Sequence, residues 1–197
     1  MAFRSGVYIV PTVRSAGEFL PDLQRGRRGT VRIARHAQRP VIGLNSNVSA
    51  GVGSPQYVWL KADLAASTAA CTLAMWHHPV FSSGNNGNSP QMREAWRLLM
   101  DAGADVVLNG HDHEYERFAP QDADGHVDPR GLGEFVSGTG GASLADRITP
   151  QPNAEVRDNR TFGVLRLTLK SASYDWRFIP IDGQTFTDAG TASCVTR

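Results

Sequence analysis

From Val41 onward, short apolar runs alternate with stretches that begin on a Ser-Pro pair. VIGLN (41–45), CTLAMW (71–76) and DVVLN (105–109) are brief continuous apolar runs, the pattern of strands buried on both faces. Between them the period changes. Ser54 followed by Pro55 predicts an N-cap and a first helical position, with Tyr57, Leu60 and Leu64 on one face. Ser89 followed by Pro90 predicts the same start for a second helix, with Met92, Trp96, Leu99 and Met100 on one side and Gly103 as its stop. Strand, helix, strand, helix, strand with short connections implies right-handed βαβ units in a parallel or mixed sheet. Farther on, GEFVSG (133–138) reads as a strand. VLRLTL (164–169) and YDWRFI (174–179) alternate with period two on either side of KSAS, which predicts a closing antiparallel hairpin. The expected fold class is therefore α/β: a mixed sheet with flanking helices and a C-terminal antiparallel hairpin.

Residues 1–40 lack this regularity. They carry eight arginines against Glu18 and Asp22, and no acidic residue occurs between Asp22 and Asp63. The overall formal charge of +1 hides this asymmetry. QRGRRGTVRIARHAQRP has neither helical nor strand periodicity, so residues 1–40 are read as a basic, poorly ordered leader and residues 41–197 as the domain. A solvated leader is favoured over a basic arm that binds nucleic acid. The length suits one domain, and 41% apolar residues are enough for a sizeable core. No apolar run approaches the roughly 18 to 20 residues of a membrane span, and MAFRSGVYIVPTVRSAG lacks the features of a signal peptide. Cys71 and Cys194 lie far apart without a CxxC spacing, which excludes a thiolate zinc site and leaves one long-range disulfide or two buried thiols.

Candidate chemistry lies at the strand ends. His77 and His78 follow CTLAMW, and His111 and His113 follow DVVLN, so four of the six histidines fall at carboxyl ends of consecutive predicted strands, where open α/β sheets keep their sites. The i, i+2 spacing lets His111 and His113 diverge from one bend toward two neighbouring points, as a pair of metal ions roughly 3.5 to 4 Å apart would need, with Asp112 pointing elsewhere. Spacing alone leaves a metal site and ordinary hydrogen-bonded histidines both open. His36 and His126 stand isolated and receive no role. GTGG (138–141) lacks the Lys-Ser/Thr ending of a P-loop and reads as a tight turn near the site. QDADGHVD (121–128) lacks the closing glutamate of a calcium loop and reads as a solvated turn.

WHHP, followed some thirty residues later by NGHDHEYERF, resembles the C-terminal ligand motifs of the calcineurin-like metallophosphoesterases, in particular their purple acid phosphatase-like branch. QYVWLKADL, FVSGTGG and FGVLRLTL are similar to that branch as well, so the resemblance spans Val41 to Cys194. It implies part of a metallophosphoesterase sheet sandwich and the hydrolysis of phosphate esters by a metal-bound hydroxide. It also implies His77, His111 and His113 as metal ligands, with His77 and His111 on one ion and His113 on the other. His78 would then be no ligand. The family holds two ions drawn from zinc, iron and manganese; here at most one is expected to be well held. Extracellular members imply an oxidising compartment, and with it a disulfide between Cys71 and Cys194 that closes the C-terminal segment onto the sheet.

The N-terminal half of the family pattern calls for Asp-x-His, then Gly-Asp, then Gly-Asn-His. The chain contains no Gly-Asp and no Gly-Asn-His, and its one Asp-x-His, Asp124 to His126, follows GHDH instead of preceding it. No catalytic acid is therefore assigned. The expected reading is an N-terminally incomplete phosphoesterase of reduced or no activity, with residues 1–40 standing where other sequence should be. Its partners would be a phosphate-ester substrate and the missing N-terminal half of the domain; no membrane is implied and nucleic acid is disfavoured. The rival is a non-catalytic metal-binding or anion-binding remnant with a basic N-terminal arm.

Overall fold

A computed structural model describes residues 7–9, 34–36 and 39–195. The leader expected over residues 1–40 falls for the most part outside the described residues. Three strands touch it. β1 (Val7–Ile9) runs parallel to β9 (Gly163–Leu169), β2 (Ala34–His36) pairs antiparallel with β3, and β3 (Arg39–Gly43) carries the chain into the domain.

The architecture has three layers. In the middle lies a seven-stranded mixed sheet of order β2-β3-β4-β5-β7-β6-β8, with β4 (Leu73–Met75), β5 (Val106–Asn109), β6 (Tyr115–Phe118), β7 (Gly133–Ser137) and β8 (Ala154–Asp158). Strands β3, β4, β5 and β7 run parallel, and β6 returns antiparallel between β7 and β8, which share one direction. Helices α1 (Pro55–Ala65) and α2 (Arg93–Asp101) cover one face, where Leu60, Leu64, Trp96 and Leu99 pack on Ile42, Ala74, Val107 and Val136. Against the other face lies a four-stranded sheet of order β1-β9-β10-β11, with β9 (Gly163–Leu169), β10 (Ser173–Pro180) and β11 (Ala189–Ser193). Here Leu165, Leu167 and Phe178 meet Leu73, Val106, Leu108 and Phe135. Alternate residues of β4, β5 and β7 thus enter two different cores, which is why β4 and most of β5 are continuously apolar and β7 is buried along its whole length.

The expected hairpin is present, with Trp176 opposite Leu167 and Phe178 opposite Leu165, and β11 adds a third antiparallel strand beyond it. Three strands carry too little apolar pattern to be read in advance. YERF of β6 places Glu116 and Arg117 within it, and AEVRD and AGTAS are polar edge strands.

The first helix starts as expected: the Ser54 hydroxyl accepts the Tyr57 N–H at 3.2 Å. Its inward face differs, because Gln56 is buried and Tyr57 is only half-buried. At Ser89 the reading needs correction. The serine makes no capping bond; its N–H donates to the Pro79 carbonyl at 3.0 Å, closing the loop after β4. Pro90–Met92 form a single 3-10 turn before α2 begins. Gly103, at φ 67°, ends that helix.

Cys71 and Cys194 form a disulfide with their Cα atoms 5.4 Å apart, as expected. Asp105 flanks it, accepting the N–H groups of Thr72 and Val195, each at 2.6 Å. The C-terminal segment is thereby tied to the start of β4 across 123 residues. A loop of that length implies a contribution of about 3 to 5 kcal/mol from restriction of the unfolded chain. Cys194→Ala is expected to lower unfolding free energy by about that amount in denaturant titration, and a digest without reductant is expected to yield a peptide joining Cys71 to Cys194.

Candidate metal centre

The site is built where β4 and β5 end side by side. The Gly110 N–H donates to the His77 carbonyl at 3.1 Å, stitching the two strand ends together. The Asp112 N–H then reaches back to the Gly110 carbonyl at 2.7 Å, with His111 between them at φ 62°. This tight turn holds a non-glycine residue in the left-handed region, at a cost of about 1 to 3 kcal/mol that the surroundings must offset. They do so from two sides. Gly138 lies so close behind the turn that a Cβ there would sit 2.0 Å from the Asp112 carbonyl oxygen, and its N–H donates to the Glu114 carbonyl at 3.0 Å. GTGG is thus a close-packing turn beside the site, as expected.

The second support is a row of carboxylates. Asp112, Glu114, Glu116 and Glu134 are all 0% exposed. They lie beneath the loop that follows His78 and receive its polar groups. Glu134 accepts the N–H of Val80 at 3.1 Å and of Phe81 at 3.3 Å. Glu116 accepts the Ser83 N–H at 2.8 Å and its hydroxyl at 2.5 Å. Asp112 takes the Ser82 hydroxyl, the Asn86 N–H at 2.9 Å and the Asn86 amide at 2.8 Å. So Asp112 points away from the metal side, as its place in the motif implied. Glu114 is different: neither carboxyl oxygen has a hydrogen-bond partner among the described residues. Burial, then the neighbouring Glu116 and Asp112 charges, push it up to about 8. Burial likewise raises Glu116 and Glu134.

On the outer side of this row stand the imidazoles. His111 Nδ1 and His77 Nε2 are 3.1 Å apart. The ring of His78 joins them, with centroids 4.8 Å from His77 and 4.3 Å from His111. One ligand nitrogen from each of the three lies within 4.8 Å of the others. His77 is exposed and the other two are half-buried. Partial burial, followed by the neighbouring imidazoles, holds His77 below the ordinary histidine range, and burial followed by His78 does the same for His111. Both are thereby kept neutral near neutral pH, the form a metal ion would require.

Of the three expected ligands the structure brings together His77 and His111. His113 lies outside that group, with Nδ1 2.8 Å from the Ser143 carbonyl. His78, expected to be no ligand, stands inside it. His126 pairs with Asp122 on a solvated turn and has no part in the site.

A zinc-class ion fits these residues. Two nitrogens on one tetrahedral ion at about 2.0 to 2.1 Å are separated by about 3.3 Å, close to the 3.1 Å between His111 and His77. Among the described residues no carboxylate joins the three histidines.

Residues 19–115 match the family model of the calcineurin-like phosphoesterases. The match begins within the stretch expected to be a leader. Purple acid phosphatase 22 of Arabidopsis thaliana is 35% identical over 136 residues, covering 62% of this chain and 31% of that protein. An acid phosphatase of Aspergillus ficuum is 36% identical over 93 residues, covering 45% of this chain and 15% of its own. The chain is related to the purple acid phosphatases. In fold, it superposes on the purple acid phosphatase from yellow lupin (Lupinus luteus) seeds with a TM-score of 0.76 at 20% identity, covering 89% of this chain and 34% of that one. The chain therefore spans about a third of the length of the plant proteins it matches.

Three supports of the histidines were not read from the sequence: the Ser46 hydroxyl, 2.8 Å from His78 Nδ1; Gln56, whose Oε1 accepts the Asn45 N–H at 2.8 Å beside it; and the Ser143 carbonyl. Ser46 follows the first predicted strand directly, so the strand-end rule that picked out the histidines applies to it too. The Ser143 carbonyl carries no side-chain signal at all.

Glu114 makes a pH prediction. Its folded-state value is raised to about 8 from an ordinary 4.5, so between those limits the folded chain keeps a proton that the unfolded chain releases. The stabilising contribution is complete below the ordinary value and is lost as pH rises toward about 8. Relative to Glu114→Gln, the unmodified chain is expected to lose a few kcal/mol of stability across that interval, measured by urea unfolding at a series of pH values.

Proposed function

We propose that the chain supplies the histidine half of a metal-dependent phosphoester hydrolase. The observation that carries the reading is the convergence of His77 and His111 to 3.1 Å at the ends of adjacent parallel strands, in a chain whose relatives are acid phosphatases. His77 and His111 would hold the ion, with His113 available to a second. A bound divalent or trivalent ion of the zinc, iron or manganese type supplies Lewis acidity toward a phosphoryl oxygen. The protein's own part is positional. The carboxylate row fixes the loop after His78, and the tight turn at His111 fixes the second strand end, so neutral imidazoles converge without rearrangement. Gly138 and the Ser143 carbonyl hold the His113 side in the same way.

The substrate is a phosphate ester. Hydrolysis by this chain alone is expected to be negligible, because among the described residues no carboxylate stands with the histidines to complete a two-ion site. The same observation favours a second reading, a metal-binding remnant without catalysis. We place the protein outside the cytosol, on the support of the Cys71–Cys194 disulfide. Among the described residues no helix is long and apolar enough to cross a membrane.

The purified chain is expected to show no measurable turnover of p-nitrophenyl phosphate or its bis-ester with zinc, manganese or iron. Replacing residues 1–40 with the N-terminal half of an intact relative is expected to create turnover that His77→Ala or His113→Ala removes. A grafted protein that folds, binds metal and stays inert would favour the remnant. Robust EDTA-sensitive activity from the unmodified chain would show that other residues complete the site.

A further inference from the structure

We propose that His78 is the third nitrogen donor of the centre, so that His77, His78 and His111 form a three-imidazole site for one zinc-class ion, and that Ser46 is the positioning residue that sets the His78 ring. The inference rests on the metal-binding reading above and changes its ligand set.

Three observations carry it. First, the nitrogens of these three residues, and not those of His113, lie within 4.8 Å of one another. Second, His78 is held from behind. Its backbone N–H donates to the Ser46 hydroxyl at 3.1 Å, and the same hydroxyl lies 2.8 Å from Nδ1, which leaves Nε2 as the unengaged ring nitrogen. A polar partner on one imidazole nitrogen is what fixes a ligand ring and directs the other nitrogen. Third, Ser46 is itself fixed. It is 5% exposed, and the residue before it is clamped in both directions by Gln56 of α1: the Asn45 N–H donates to Oε1 at 2.8 Å, and Nε2 donates to the Asn45 carbonyl at 3.1 Å. Gln56 sits two residues after the Ser54 cap, so the start of α1 sets the register of the whole chain of contacts.

The donor set selects the ion. Three imidazole nitrogens, with no carboxylate joining them among the described residues, favour zinc over magnesium, calcium or manganese, and three ligands leave a fourth position open. The exposure of His77 puts that position within reach of solvent.

Zinc calorimetry on the full chain, with cobalt(II) absorption as a second readout, tests the assignment. Wild type is expected to bind one ion with the visible bands of a four-coordinate cobalt site, and His111→Ala to abolish binding. His78→Ala and His78→Gln are expected to weaken zinc by about 100-fold and to lose the four-coordinate bands. Ser46→Ala is expected to cost about 10-fold to 100-fold, with recovery in Ser46→Thr. His113→Ala is expected to leave affinity and spectrum unchanged. Circular dichroism confirms that each variant is folded. Wild-type affinity in both His78 variants, or a loss in His113→Ala equal to that in His111→Ala, overturns the assignment while leaving the metal reading intact. Binding unchanged in His111→Ala, or absent from the wild type, overturns both.

Discussion

Buried carboxylates accepting backbone and hydroxyl protons from a single loop are the constraint on which the centre depends. Carboxylates with no polar partner would be costly in this interior, so Glu134, Glu116 and Asp112 capture the donors of residues 80 to 86. The consequence runs outward. A loop pinned at Val80, Phe81, Ser82, Ser83 and Asn86 cannot drift, and the two histidines that precede it inherit that rigidity. Glu116 comes from β6 and Glu134 from β7, so strands far from the imidazoles in sequence still decide where they stand.

The chemistry is conditioned by the opposite sign of environment on the two sides of that loop. Beneath it burial drives Glu114, Glu116 and Glu134 toward protonation; above it burial drives His77 and His111 toward neutrality. Gly84 marks the close approach of the loop to the carboxylates, since a Cβ there would come within 2.7 Å of a Glu114 oxygen. Among the described residues the outer side therefore offers nitrogen donors with no carboxylate in their group, the donor type that a borderline-soft cation prefers.

Much of this was legible in the chain itself. The strands at 73–75, 106–109 and 133–137 follow from apolar runs buried on both faces, α1 from its Ser54–Pro55 start, and the hairpin from its alternation. The histidines at the strand ends and the role of GTGG followed from position. What could not be read was whatever depends on contacts across the sheet. Glu116 and Glu134 look like solvated strand residues until the loop above them is known, and β6 was hidden for the same reason. Ser89 looked like a cap but spends its N–H on closing the loop. The placement of His78 within the cluster and of His113 outside it depends on Ser46 and on the Ser143 carbonyl, neither of which adjoins a histidine in sequence.

Rigid convergence of several imidazoles on one point is the central claim, and X-ray absorption at the zinc edge of the loaded chain tests it most directly. The account predicts a first shell dominated by nitrogen at about 2.0 to 2.1 Å, with the outer scattering of three imidazole rings. A shell with one imidazole or none, filled by carboxylate or water oxygens, would contradict it.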